Sequence, residues 1–259
     1  VPHAKAADGV RLAYQTAGAG TPLVLLAGQA NNHHWWDGIR TDFETRYRTV
    51  TLDWRGTGDS DKPDEPYSTA GFAEDVVAVL DDLGIDQAAV YGTSMGGRVG
   101  QWLAARHPDR VRALVLGCTS PGGRHSVERG PEIRQSLIQP DASAARQALL
   151  ELMYTPQWLA RTPGPFTTLG DPEMPAYAKR RHLVASNKHN AWEVLPQIRT
   201  STLVVHGTED RFNPVANAPL LAERIPHASM RLIPGARHAY FDEFREVASP
   251  LVLDFLDAA

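Results

Sequence analysis

The sequence predicts an α/β fold organised on a mainly parallel sheet. Three observations predict it. Short apolar runs alternate with stretches of helical periodicity along most of the chain. Several of those runs are apolar without interruption, as strands buried on both faces are. One strand passes directly into a helix through Gly92-Thr93-Ser94-Met95-Gly96, a junction found where parallel strands feed helices.

The elements follow in order. Residues 3–7 and 10–16 flank Asp8-Gly9, a pair that tolerates positive φ and marks a hairpin. Residues 22–26 form an apolar run ending at Gly28, and residues 48–53 alternate through Val50 and Leu52. Phe72, Val76, Val79, Leu80 and Leu83 recur at helical spacing, and Gly84 stops that helix. Residues 88–92 read as a short strand, 95–107 as a helix closed by Pro108, and 112–117 as another strand. Over residues 121–196 strand runs vanish, helical fragments appear at 142–152 and 175–187, and prolines cluster between them. Strand, helix, strand and helix then return at 202–206, 216–225, 230–233 and 243–256. The middle therefore reads as a helical insertion, 121–196, within a core made of 1–120 and 197–259.

Composition narrows the function classes. With 259 residues, 42% hydrophobic and 22% charged, the chain has the balance of a globular protein, not of a disordered one. A net charge of −4 points to neither nucleic acid nor an anionic membrane surface as partner. Cys118 is the single cysteine, so no intrachain disulfide and no cysteine-rich zinc site can form. The apolar runs are far too short to span a bilayer. Residues 1–7 lack the charged and apolar regions of a secretory signal, although the chain does not open on Met and a removed leader stays open. A reducing, cytoplasmic setting is the default reading.

The sharpest chemical feature is Ser94 between Gly92 and Gly96. A strand that turns at once into a helix holds the central serine in a strained conformation, and side chains at the flanking positions would collide. The hydroxyl is then exposed at the C-terminal sheet edge, near helix amides that favour developing negative charge. Serine needs a base, and the base an orienting carboxylate. Both are expected in loops after later strands. Residues 202–206 run into Gly207-Thr208-Glu209-Asp210, and residues 230–233 into Pro234-Gly235-Ala236-Arg237-His238. The order Ser94, Asp210, His238 suits this arrangement, with Glu209 as rival acid. Of the other histidines, His206 beside Gly207 reads as structural, and His107 as a cation at a helix end. No His pair at metal-binding helical spacing is present, so no metal is expected. Two oxyanion donors are needed. Met95 supplies one amide, and Gln29, in the loop opened by Gly28, supplies the other, with its side chain as the alternative contributor.

Together these residues resemble the α/β-hydrolase superfamily over nearly the whole chain. Asp53-Trp54-Arg55-Gly56-Thr57-Gly58-Asp59-Ser60, Ser94-Met95-Gly96-Gly97 and Gly207-Thr208-Glu209-Asp210 are similar to segments of its carboxylesterase, 3-oxoadipate enol-lactonase and non-haem haloperoxidase branch. The resemblance implies an eight-stranded, mostly parallel sheet, a helical cap at residues 121–196 and no cofactor. The family usually has His-Gly where this chain has Ala27-Gly28, and an aromatic or apolar residue in place of Gln29. The expected activity is hydrolysis of a small-molecule ester or lactone, with homo-oligomerisation left open. Carbon–carbon bond hydrolysis is an alternative, weakened because Ala239 and not Trp follows His238. A cofactor-free dioxygenase or a binding protein on the same fold is another. Trp158, Trp192, Tyr154, Tyr177, Phe166, Met153 and Met174, with Gly28, are candidates to line the pocket. Asn31 to Trp36 reads as a helix start with tryptophans packed on the sheet, or as a polar and aromatic pocket rim. Lys179, Arg180, Arg181 and Lys188 are either a solvated helix face or a steering patch for anionic substrates.

Overall fold

The computed structural model describes all residues, 1–259. Eight strands form one sheet: β1 (His3–Lys5), β2 (Arg11–Ala17), β3 (Thr21–Leu26), β4 (Tyr47–Leu52), β5 (Ala88–Thr93), β6 (Val111–Gly117), β7 (Thr202–Gly207) and β8 (Ala228–Ile233). Their spatial order is β1-β2-β4-β3-β5-β6-β7-β8. The β1–β2 and β2–β4 pairs are antiparallel, and every other pair is parallel. The hairpin turns at Gly9, whose φ is 91°.

Ten α-helices complete the fold: α1 (Arg40–Glu44), α2 (Thr69–Asp82), α3 (Met95–Arg106), α4 (Pro131–Leu137), α5 (Ala142–Met153), α6 (Pro156–Leu159), α7 (Ala176–Asn187), α8 (Asn217–Arg224), α9 (Tyr240–Glu243) and α10 (Arg245–Ala258). The central strands are apolar throughout because both faces are covered. Successive side chains point to opposite faces. Val24, Leu26, Val90, Leu114 and Leu116 therefore join one core with Phe72, Val76, Val79, Val99, Leu103 and Leu221 of α2, α3 and α8. Leu23, Leu25, Tyr91, Val115 and Val205 join a second core with Phe43, Val252 and Leu256 of α1 and α10. No helix is long and apolar enough to cross a membrane.

Between β6 and β7 the chain holds only helical elements and one isolated bridge, Gly122 with Asn190. That bridge draws the two ends of the segment together, with Ala191 donating to the Pro121 carbonyl at 2.9 Å. The short helices α4 and α6 have no counterpart in the sequence reading. Each opens on a proline at its first turn, a position where the missing N–H costs nothing.

Candidate active site

The elbow follows from its glycines. Ser94 sits between β5 and α3 with φ 55° and ψ −118°, outside the ordinary range of a non-glycine residue. A side chain at Gly92 would strike the Gly96 carbonyl, and one at Gly96 would strike the Leu26 carbonyl. The serine turn thus lies in backbone contact with its own helix and with the loop after β3. Thr119, two residues past the end of β6, secures it, its hydroxyl donating to the Ser94 carbonyl at 2.7 Å.

The loops after β7 and β8 bring Asp210 and His238 together. His238 Nδ1 lies 2.7 Å from Asp210 Oδ2, and both residues are buried. Glu209, the rival acid, is exposed, and the imidazole meets Asp210. The Asn213 amide donates to Asp210 Oδ1 at 2.8 Å. Burial alone pushes the Asp210 carboxyl up. His238 and His206 outweigh it and hold the carboxyl well below the usual carboxylate range. An Nδ1–H donated to this carboxylate leaves Nε2 with its lone pair. His238 Nε2 is buried and makes no hydrogen bond, including none to the Ser94 hydroxyl. Such catalytic contacts often tighten only when substrate is bound. The Phe212 and His238 rings meet edge to face at 4.7 Å, and the Arg129 guanidinium lies over the Phe212 ring at 4.0 Å.

The loop after β3 packs beside the elbow. The main-chain amides of Gln29 and Met95 donate to no acceptor in the protein. Gly28 is required by Trp35, whose ring would lie 2.6 Å from a Cβ there. Trp35 donates to Thr93 Oγ1 at 2.9 Å, and both Trp35 and Trp36 are buried. Asn32 caps their short 3₁₀ turn. The tryptophans of this stretch therefore pack inside. Asp53 anchors the neighbouring loop, accepting from the amides of His33 at 2.8 Å and Asp59 at 2.9 Å. Its carboxylate also bonds the His33 ring, which raises the His33 pKa.

The candidate pocket aromatics are placed differently. Tyr154 is fully buried, stacked on Trp158 at 4.3 Å, with its hydroxyl donating to Asp242 at 2.7 Å. Trp192 stacks on His125 at 4.2 Å and lies under Arg224. Tyr154 and Trp192 are thus each packed against a neighbouring ring, Trp192 while half-buried. Trp158 is half-buried. Lys179, Arg180 and Lys188 are exposed, and Arg181 pairs with Asp64 at 3.1 Å. The basic cluster is largely solvent-facing, on α7 and at its C-terminal end.

Two further histidines lie near this site: His206, which the sequence reading took as structural, and His182, which it did not single out. His206 Nε2 donates to the Asn213 carbonyl at 2.8 Å and lies 3.2 Å from Asp210 Oδ2. It is a second imidazole partner for the acid, and its four-residue spacing from Asp210 was the available signal. His182, on α7, receives the Ala30 amide, and nothing in the sequence links those positions. No three His, Cys, Asp or Glu side chains gather into a group able to hold a metal. The Cys118 thiol is buried, and burial pushes its pKa up.

The family model for the alpha/beta hydrolase fold matches residues 21–244, a span that contains every residue of this constellation. The chain belongs to the alpha/beta hydrolase fold family. Within the family its similarities run to hydrolases along nearly the whole chain. It is 29% identical to an Azorhizobium caulinodans protein provisionally named carbamate hydrolase RutD, over 98% of each chain. It is 30% identical to 2-hydroxymuconate semialdehyde hydrolase of Pseudomonas sp. strain CF600, over 98% of this chain and 93% of that one. Among solved structures, the N-acyl homoserine lactone degrading enzyme Est816 superposes with a TM-score of 0.83 at 31% identity, covering 98% of this chain and 100% of the other.

Proposed function

We propose that this protein is a serine hydrolase that opens carboxylic esters or lactones. The observation that carries this reading is the buried 2.7 Å bond between Asp210 and His238, at the same sheet edge as a serine in an elbow conformation. Asp210 holds the imidazole with its proton on Nδ1. Nε2 takes the Ser94 proton as the hydroxyl oxygen attacks the carbonyl carbon. The oxyanion that forms accepts hydrogen bonds from the Gln29 and Met95 amides, with the N-terminus of α3 adding to the favourable field. Asp210 stabilises the imidazolium. The tetrahedral intermediate collapses as the carbon–oxygen bond to the leaving group breaks, and that oxygen takes the proton from His238. In a lactone the new hydroxyl stays tethered to the acyl group. Water, losing its proton to His238, then attacks the acyl-serine, and the carboxylic acid and Ser94 are released. The steps need no cofactor.

Residues 121–196 act as a cap in this reading. Their support is local: the Ala239 amide, next to His238, donates to the Met153 carbonyl of α5 at 2.8 Å. The lactone arm is supported by the likeness to Est816. A second reading, hydrolysis of a ring-cleavage product at a carbon–carbon bond, is favoured by the 30% identity to 2-hydroxymuconate semialdehyde hydrolase. A panel of p-nitrophenyl esters, lactones and 2-hydroxymuconate semialdehyde separates the two. Turnover of esters or lactones, lost by several orders of magnitude in Ser94→Ala, is the expected result. Preference for the semialdehyde supports the second reading, and full activity of Ser94→Ala contradicts both.

A further inference from the structure

Ala30 lies one residue beyond Gln29 and has φ 57°, a left-handed conformation that alanine adopts only when its surroundings hold it there. Those surroundings are supplied by the segment between β6 and β7. The Ala30 amide donates to His182 Nδ1 at 3.2 Å. Its carbonyl accepts from the Asp171 amide at 2.7 Å. The peptide joining Gln29 to Ala30 is held at its other end as well. Asn31 Nδ2 donates to the Gln29 carbonyl at 2.8 Å, and Asn31 Oδ1 accepts from the Gly170 amide at 2.9 Å. His182 is itself fixed. Nε2–H donates to the Arg55 carbonyl at 2.9 Å. The Arg55 guanidinium is tied to Asp75 at 2.8 Å and to Asp8 at 2.7 Å. The imidazole is fully buried against the rings of Tyr67 at 5.5 Å and Phe72 at 5.0 Å. Both ring nitrogens are committed, one accepting and one donating, so only a single neutral tautomer fits.

We propose that His182 is a positioning residue for the oxyanion loop, holding the Gln29–Ala30 peptide so that the Gln29 amide meets the developing negative charge. The inference rests on the function proposed above and deepens it. It also gives the helical segment a second task. Besides covering substrate, it completes the catalytic geometry from a helix 152 residues away in sequence. The loop here begins Ala27-Gly28, and the support comes from across the fold. Where His182 is displaced, Ala30 is free to leave its strained conformation and the Gln29 amide turns with it. Such a loss weakens transition-state binding more than ground-state binding, so kcat falls while KM stays nearly constant.

The test compares His182→Phe, which keeps the ring and removes both hydrogen bonds, with His182→Asn, whose side-chain oxygen can replace Nδ1 as acceptor. Hydrolysis of a p-nitrophenyl ester by the full chain is measured, with Ser94→Ala as control. His182→Phe is expected to lower kcat by about a hundredfold, the scale of a lost oxyanion donor, with KM changed by less than about threefold. His182→Asn is expected to recover most of that loss. A boronic acid that forms a tetrahedral adduct on serine should weaken in parallel with kcat, whereas binding of the product carboxylate should not. If His182→Phe does not fold, Asn31→Ala, which frees the other end of the same peptide, decides by the same split between kcat and KM. Wild-type kcat in the folded variants, with Ser94-dependent turnover intact, overturns the positioning role and leaves the hydrolase reading standing. Absence of any Ser94-dependent turnover in the wild type overturns both.

Discussion

Lowering the pH from 7.5 to 5 should cost this fold a measurable share of its stability, and His182 allows the amount to be worked out. Burial pushes its pKa from 6.5 down to about 4, against a small opposing pull from the Arg55 carbonyl. Between those values the unfolded chain binds a proton that the folded chain does not. Stability therefore rises with pH across that window and is fully present only above the unfolded value. Integrated from pH 7.5 to pH 5, the loss is roughly 2 kcal/mol for this one residue. His189, also buried and pushed well below its ordinary pKa by burial, acts in the same direction. His33 opposes them. Its bond to Asp53 raises its pKa, so its contribution is present at low pH and fades as pH rises. Asp210 stays silent in this window, because a depressed carboxylate loses its contribution only below the usual carboxylate range. Urea unfolding at the two pH values, for the wild type and His182→Phe, isolates the term. The unpaired Ala30 amide and Arg55 carbonyl lower the variant's stability at both pH values, so that cost cancels in the comparison. The pH-dependent drop should be smaller in the variant by roughly 2 kcal/mol. Equal drops in the two proteins would refute the reasoning, since His182 would then titrate as a solvated side chain.

Three further outcomes are expected. Asp210→Asn removes the charge that orients and stabilises the His238 ring, and kcat for a p-nitrophenyl ester should fall by about a thousandfold or more with KM little changed. Gly96→Ala forces a methyl group against the Leu26 carbonyl; thermal and urea unfolding should show a loss of about 1–3 kcal/mol, accompanied by lost activity from the displaced oxyanion loop. Cys118, fully buried with its thiol pKa raised by burial, should react with a disulfide reagent only when urea unfolds the chain, and fast reaction of the native protein would contradict its placement.

The strands were legible because burial on both faces writes them as uninterrupted apolar runs. Residues 22–26 and 202–206 fall within β3 and β7 as found. The elbow was legible because glycine is the only residue that fits against the Gly96 and Leu26 carbonyls. Chain order, together with their places in the loops after two late strands, nominated Asp210 and His238, and their contact is visible in the fold. What the sequence could not convey is which partner consumes a side chain. Tyr154 and Trp158 have the composition of a pocket, and only the fold shows that they stack on each other and that Tyr154 bonds Asp242. His206 looked like a histidine at a strand end, and only the turn of the chain at Asn213 brings it onto Asp210. His182 is the clearest case. It sits in an ordinary helical stretch, and its role depends on a hydrogen bond to a residue in another part of the fold. The short helices α4 and α6 were hidden because a few residues after a proline carry too little periodicity to register.

The account rests most directly on the reactivity of one hydroxyl. Incubating the native protein with a fluorophosphonate and mapping the adduct by mass spectrometry tests it in a single step. A single adduct on Ser94, absent in Ser94→Ala and formed far more slowly in His238→Ala, is the expected result. A native, folded protein that takes up no label, or takes it up on another residue, would contradict it.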